Sequence, residues 1–125
     1  MATGTLVSSG SSGSMPTGSG SERLCRATIT VLNNDTQTIL SGTAGHIYTI
    51  LSIIFCDRQS AAGTVSIAVN NGGADVYIIS VNPHSANDTF VFSDRLVIEE
   101  DDDLIVTNSV TNGAWIVSYI DQNWV

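Results

Sequence analysis

Apolar and polar residues alternate along most of the chain from Arg23 onward. A period of two, carried by many β-branched residues, is typical of strands that bury one face. No segment has a convincing 3.6-residue period, and the apolar residues 47–56 have the isoleucine content and flanking glycines of a strand rather than of a buried helix. The pattern predicts strands over residues 24–32, 36–40, 46–56, 64–70, 75–81, 89–92, 95–99, 104–108 and 115–120.

Turn-forming residues separate these segments at intervals of roughly 8–12 residues. Asn71-Gly72 is the strongest hairpin signal in the chain. Asn34-Asp35-Thr36 and Asn87-Asp88-Thr89 match the glycosylation acceptor pattern, but we interpret both as turns, because Asn and Asp side chains bond nearby backbone groups. A further turn is predicted over residues 82–85.

These strands and turns predict an all-β protein, an antiparallel β-sandwich of jelly-roll or immunoglobulin-like type. The pattern leaves the two topologies open. In antibody domains a tryptophan lies between the two cysteines, but none lies between Cys25 and Cys56. The residues predicted to form the core are Ile50, Ile54, Val65, Ile67, Val69, Ile105 and Ile116.

Residues 1–21 differ from the rest, because Ser, Gly and Thr make up most of the segment. Leu6, Val7 and Met15 are its bulky apolar residues, too few to offset the entropy lost on ordering, so alone it is expected to be a tether. The chain is therefore divided into an extended N-terminal arm, residues 1–21, and a β-sandwich domain, residues 22–125. In an assembly, Leu6, Val7 and Met15 are the expected anchors of the arm.

The chain carries little charge. Its 125 residues include 4 Lys+Arg, all arginine, and 12 Asp+Glu, for a formal net charge of −8. Charged residues make up 13% of the chain, about half the usual share of ~25%. Scattered arginines neither neutralise a phosphate backbone nor dock to an anionic membrane, so neither nucleic acid nor a membrane is an expected partner. No secretory signal peptide is visible, which favours a protein made inside the cell.

The sequence contains few signs of a metal site or of a disulfide bond. Cys25 and Cys56 fit no zinc motif and are interpreted as two buried thiols, with a disulfide between neighbouring strands as the alternative. The acidic residues 99–103 are either a calcium loop or a solvated hairpin turn, and their spacing differs from that of an EF-hand. We favour the turn and predict no metal and no cofactor.

Catalysis and sugar binding are the other candidate chemistries. His46 and His84 lie on different segments and no serine stands in a nucleophile-elbow pattern, so no catalytic residue and no enzyme are predicted. Trp115, Tyr119 and Trp124 are able to stack on sugar rings, but Trp115 and Tyr119 share a strand face that core packing explains more simply. Trp124 is predicted to be exposed or to lie in an interface.

Residues 96–108 read Leu-Val-Ile-Glu-Glu-Asp-Asp-Asp-Leu-Ile-Val-Thr-Asn, and residues 113–120 read Gly-Ala-Trp-Ile-Val-Ser-Tyr-Ile. This order of apolar strand, acidic turn, apolar strand, Asn-Gly turn and Val-Ser-Tyr resembles the closing strands of small β-sandwich virion proteins of tailed bacteriophages. The hairpin over residues 64–81 is similar to theirs as well, and the resemblance covers residues 24–121. The triple Asp and the tryptophan near residue 125 depart from the pattern.

The resemblance implies a non-enzymatic structural protein of a phage particle, made in the host cytoplasm and located in the virion. The expected role is a capsid decoration (cement) protein whose arm contacts neighbouring subunits, with the major capsid protein or neck and tail proteins as partners. A homo-oligomer is expected, with a trimer suggested by analogy. The alternatives are a neck, tail or fibre-base component and a carbohydrate-binding module for host attachment. Low charge and the lack of lysine at sheet edges also favour a surface covered by partners.

Overall fold

The computed structural model describes residues 22–124, which form β-strands and no α-helix. The predicted arm, with Leu6, Val7 and Met15, lies outside these described residues. Nothing in the described part of the chain is a helix long and apolar enough to cross a membrane. The strands are β1 (Glu22–Leu32), β2 (Asp35–Ser41), β3 (His46–Asp57), β4 (Gly63–Asn71), β5 (Asp75–His84), β6 (Thr89–Phe92), β7 (Leu96–Ile98), β8 (Asp102–Asn108) and β9 (Gly113–Asn123).

The strands form two antiparallel sheets. The five-stranded sheet has the order β1-β9-β3-β6, with β7 also paired to β3, and the four-stranded sheet has the order β2-β8-β4-β5. The first and last strands are therefore neighbours, and the chain crosses repeatedly from one sheet to the other. This is the double Greek-key order of a jelly roll, which decides between the two topologies that the sequence left open and confirms the β-sandwich.

One hydrophobic core fills the space between the sheets. Phe55 and Trp115 lie on adjacent strands of the five-stranded sheet, with ring centroids 4.9 Å apart. Leu104 and Val106 of the four-stranded sheet are fully buried in the same cluster. Within this core Asn108 is completely buried, and its Oδ1 accepts a hydrogen bond from Trp115 Nε1 at 2.9 Å.

Three of the predicted core residues, Ile50, Val65 and Ile67, are buried as expected. Ile54 is only half-buried, because the register of β3 against β9 shifts between Ile50 and Ser52. A β-bulge exchanges the two faces of a strand, so the buried residues after the bulge are Ile53 and Phe55. The prediction for Ile54 was wrong by one position for this reason.

The prediction for the last two strands was also wrong by one position. Ile116 is exposed and Ile105 is half-buried. Their neighbours point into the core instead: Trp115 and Val117 on β9, Leu104 and Val106 on β8. Both strands have apolar residues at consecutive positions, so alternation alone does not identify the inner face. Val69, the remaining predicted core residue, is half-buried and packs against the core.

Strand β5 continues through the turn that the sequence predicts over residues 82–85. Pro83 is tolerated there because β5 is the edge of the four-stranded sheet, where a missing backbone donor costs no ladder bond. The strand is irregular: Val81 has a φ of +49°, and its backbone nitrogen donates to Ser66 Oγ at 2.9 Å rather than to a strand carbonyl. The turn itself lies at residues 85–88, three residues later than predicted.

The predicted Asn turns are confirmed. Asn34, Asn87 and Asn112 all have positive φ between 46° and 62°, a region that Asn enters more readily than most residues. The hairpin at Asn71-Gly72 joins β4 to β5, with Gly72 at a φ of +72°.

Neither interpretation of the two cysteines survives. Cys25 and Cys56 are free, Cys25 is half-buried and Cys56 is exposed, so they are not a pair of buried thiols. They are not on neighbouring strands either, because β9 lies between β1 and β3. Cys25 pairs with Tyr119 in the middle of β9, and Cys56 pairs with Ala114 near its start.

Candidate assembly surface

The outer face of the five-stranded sheet is unusually apolar for a surface that faces solvent. Two rows of Cα partners cross it: Thr28, Ile116, Ile54 and Val91 form one row, and Leu24, Ile120, Thr49 and Val97 form the other. We call the six apolar members of these rows the apolar outer face. Exposed fractions are 74% for Leu24, 54% for Val91, 50% for Val97 and 39% for Ile116.

The rest of this face is polar but almost uncharged. Between the two rows lie Arg26, Ser118 and Ser52, and beyond them Ala114, Cys56 and Thr89. No acidic residue stands in these four rows, and the nearest one, Glu22, lies in the next row with Gln122 and Ile47, at the border of the face. The solvent-facing side of an antiparallel sheet normally carries polar residues, because apolar and polar side chains alternate along each strand. A contiguous exposed apolar surface therefore marks an interaction site.

Trp124 lies at one end of the sandwich and is 59% exposed, as predicted. Its backbone nitrogen donates to the Gly45 carbonyl at 2.7 Å, which holds the residue beside the loop between β2 and β3. It lines an open depression of about 390 Å³ together with His46 and the acidic turn Glu99–Asp101. Its place in an interface stays a prediction.

The other two aromatic candidates for sugar stacking do not form a surface platform. Trp115 is fully buried, and Tyr119 is half-buried with its ring 5.1 Å from that of Tyr48. Burial raises the pKa of the Tyr119 hydroxyl above its ordinary value. The interpretation of these residues as core is confirmed for Trp115, and only Trp124 remains available to a ligand.

The acidic segment is a solvated turn only in part. Glu99, Glu100 and Asp101 are exposed, whereas Asp102 is buried at the start of β8. Asp102 Oδ2 accepts a hydrogen bond from the Glu99 backbone nitrogen at 2.9 Å, which closes the turn between β7 and β8. Among residues 22–124 no group of three His, Cys, Asp or Glu side chains is placed to hold a metal ion.

Replacing Asp102 with Ala is expected to lower the free energy of unfolding by about 1–3 kcal/mol, because the Glu99 nitrogen loses its acceptor in a partly buried turn. Asp101→Ala is the matched control, since that side chain is exposed, and should change stability by less than about 0.5 kcal/mol. Urea denaturation of both variants measures the difference. Equal stability of the two would show that the turn does not depend on Asp102.

The two histidines serve structural contacts in separate places. His46 Nδ1 lies 2.7 Å from Asp121 Oδ1, and the second oxygen of Asp121 accepts from Arg23 at 3.3 Å. His84 is buried against Phe55, and its Nδ1 donates to the Ser85 carbonyl at 2.9 Å. Among residues 22–124, neither ring is hydrogen-bonded by a serine or cysteine side chain.

Asp57 is a further buried carboxylate, beside Asp102 and Asp121, and it organises two loops. It accepts hydrogen bonds from the backbone nitrogens of Gln59 at 2.9 Å and Asn87 at 3.1 Å, one from each loop. Burial alone would raise the pKa of Asp57, but these bonds, one from Ala61 and the nearby His84 outweigh it, so the pKa lies below its ordinary value. The sequence offers no sign of this role beyond an Asp at a strand end.

No protein-family model matches the chain, and no curated protein matches it. Among solved structures, a pentameric capsid protein isolated from metagenomic phage sequences, known from two crystal structures, is 19% identical with a TM-score of 0.40. The match covers 78% of this chain and 60% or 62% of that chain, so this chain spans about three fifths of the capsid protein's length.

A second kind of solved structure is a protein of Bacillus endospore appendages, described as a novel family of disulfide-linked pili. It is 11% identical with a TM-score of 0.42, and the match covers 91% of this chain and 100% of that chain. At such identities and scores these likenesses concern the β-sandwich architecture and carry no argument about function.

Proposed function

We propose that this chain is a non-enzymatic structural protein of a phage particle, and in particular a capsid decoration protein. The observation that carries the proposal is the apolar outer face of the five-stranded sheet. Exposed Leu24, Val91 and Val97 have no role in the folded domain, because the core lies on the opposite side of the same strands. Such a face is expected to be covered by another protein subunit.

Several side chains able to act as acids or bases make structural contacts instead, which supports a role without catalysis. His46 is paired with Asp121, and Asp57 accepts hydrogen bonds from two loops. Asp102 closes a turn. These three carboxylates and His46 thus hold loops and strand ends in place.

A virion location is supported by the resemblance of residues 24–121 to small phage virion proteins and by the topology. Jelly rolls are common in viral capsid proteins and in lectins, so the fold is compatible with both functions considered for this chain. The scarcity of charge also suits a surface that is covered in the mature particle. Major capsid protein is the proposed partner, and the protein itself is proposed to be a homo-oligomer.

Binding to phage particles that lack the protein tests this proposal. Ile116→Asp places a charge on the apolar outer face at an exposed position, so the domain should fold but few copies should remain on the particle. Thr38→Asp is the matched control, because Thr38 is exposed on the other sheet. Equal retention of both variants would overturn the role of the face.

The number of copies bound distinguishes capsid from neck or tail. A decoration protein follows the many equivalent positions of the shell, on the order of hundreds of copies, whereas a neck or tail ring holds about a dozen or fewer. Quantitative mass spectrometry of purified particles measures this number. A copy number of about a dozen or fewer would indicate a neck or tail protein instead of a decoration protein.

Deleting residues 1–21 is expected to leave the domain folded and to weaken its attachment to particles. The segment has few side chains able to enter a core, but fully extended it spans up to about 70 Å, enough to cross a subunit boundary. Circular dichroism checks the fold, and copies retained per particle check attachment. Undiminished retention of the shortened chain on particles would show that the arm does not contribute to attachment. An unfolded variant would show that residues 1–21 belong to the domain.

Trp124 favours one alternative function, a carbohydrate-binding module. An exposed indole beside the carboxylates of Glu99, Glu100 and Asp101 combines a stacking surface with hydrogen-bond acceptors for sugar hydroxyls. A glycan array with the parent chain and Trp124→Ala tests it. Specific saccharide binding that the variant loses would favour the module over the decoration protein.

A further inference from the structure

We propose that the apolar outer face of the five-stranded sheet binds the N-terminal segment, residues 1–21, of a second copy of this chain. This inference names the partner of the face and so rests on the assembly role proposed above. Leu6 and Val7 are the anchoring side chains, seated between Ile116, Ile54 and Val91.

The size of the face argues for an extended segment rather than for a second folded domain. From the row of Leu24 to the row of Cys56 the face is about 20 Å long, and from β1 to β6 it is about 14 Å wide, from ordinary strand rise and spacing. The projected area is ~300 Å², and side-chain relief that doubled the accessible surface would still leave it below the ~800 Å² that each partner buries in a typical stable interface between folded proteins. An extended segment of about six residues covers this length.

Charge argues for the same occupant. Residues 1–21 contain no Asp, Glu, Lys or Arg, and the rows of the face contain no acidic residue. Most other surfaces of a chain with a net charge of −8 would bring several carboxylates against apolar rows that hold a single cation, Arg26. The uncharged segment avoids this cost, and the hydroxyls of Thr28, Ser118 and Ser52 can bond to its backbone.

The position of the segment in the chain favours a second copy over the same copy. Residue 21 connects to Glu22, where β1 begins at the end of the sheet next to Gln122. Continuing the line of β1 leads away from the face, so docking on the same copy requires the segment to turn back between Val7 and Glu22. Those fifteen residues reach about 50 Å, more than twice the length of the face, which is enough to carry Leu6 and Val7 to a second copy.

Cys56 makes the proposal directly testable, because it is an exposed thiol on the same face, two residues from Ile54. In a full-length chain with Cys25→Ser, the change Thr5→Cys adds a thiol next to Leu6 and leaves both anchors intact. Mild oxidation with diamide, followed by non-reducing electrophoresis and peptide mapping, shows which thiols have met. We expect dimers and longer ladders joined between position 5 of one copy and Cys56 of another.

The matched control moves the receiving thiol to the other sheet. With Cys56→Ser and Thr38→Cys, the exposed position 38 should give no ladder at the same protein concentration. Adding Ile116→Asp, or separately Leu6→Ser with Val7→Ser, to the Cys56 chain should abolish the ladder. A ladder of equal strength with Thr38→Cys would show collision rather than docking and would overturn the proposal.

Two further outcomes would also overturn it. A cross-link formed only within one chain would mean that the segment docks on its own copy, and no cross-link at all would mean that it does not occupy the face. If either outcome is seen while the Ile116→Asp variant is still poorly retained on particles, then the N-terminal segment is not what covers the face, and the assembly role stands. If Ile116→Asp is also retained on particles, the proposed function fails with it.

Discussion

Replacing Asn108 with Asp should lower the free energy of unfolding by about 3–5 kcal/mol, a large part of the stability of a domain of this size. Asn108 is completely buried, and its Nδ2 donates to the carbonyl oxygens of Leu32 at 2.9 Å and Val110 at 2.6 Å. An Asp side chain would place a carboxylate oxygen against those carbonyls and bury a charge without a cation. Only the bond from Trp115 Nε1 would remain.

Asn33→Asp is the matched control for this change. The Oδ1 of Asn33 accepts a hydrogen bond from the Asn112 nitrogen at 2.8 Å, and Asn33 is exposed, so a carboxylate can take its place. Its effect should be within about 0.5 kcal/mol. Urea denaturation at neutral pH compares both variants with the parent, and similar losses for the two would show that burial of Asn108 does not determine its effect.

Gly42→Ala is expected to cost about 3 kcal/mol, at the upper end for an overpacked site. Gly42 lies in the loop between β2 and β3, where its nitrogen donates to the Asp102 carbonyl at 2.8 Å. A Cβ atom on Gly42 would overlap the Glu99 carbonyl oxygen and lie 2.8 Å from the Glu99 carbonyl carbon. Since the obstacle is backbone, no rotamer change relieves it, and the loop must separate from the turn between β7 and β8.

Gly73→Ala tests whether this cost comes from the close approach or from glycine as such. A Cβ atom on Gly73 would meet nothing within 4 Å, so the variant should be as stable as the parent or slightly more stable. Thermal unfolding followed by circular dichroism compares the two alanine variants. A loss at Gly73 as large as that at Gly42 would contradict the steric explanation.

Most strands could be predicted from the sequence because their signals are local. The hairpin of β4 and β5 follows from Asn71-Gly72 between two alternating segments, and the structure places both strands there. The Asn turns are equally local, since each depends on the conformational freedom of one residue. By contrast, the end of β5 was missed because Pro83 is acceptable only at a sheet edge, and edges depend on the strand order.

Where both faces of a strand are apolar, only the tertiary structure shows which face is buried. On β9, Trp115, Ile116 and Val117 are consecutive, and their hydropathy does not show which of them enters the core. Pairing with β1 and β3 decides it, and a bulge after Ile50 changes the face within β3 itself. The same ambiguity hid the candidate site, because an exposed Ile116 looks in the sequence like a core residue.

The sequence by itself determined that this protein is an antiparallel β-sandwich with turns at its Asn-rich segments, and that residues 1–21 stand apart in composition. Period, turn chemistry and charge are properties of neighbouring residues, so they need no knowledge of the fold. Only the tertiary structure decided the jelly-roll order, the burial of Asn108 and Asp57, and the apolar outer face. Each of these depends on strands far apart in the chain, such as Leu32 with Asn108 or Thr28 with Ile116, whose pairing a local pattern does not encode.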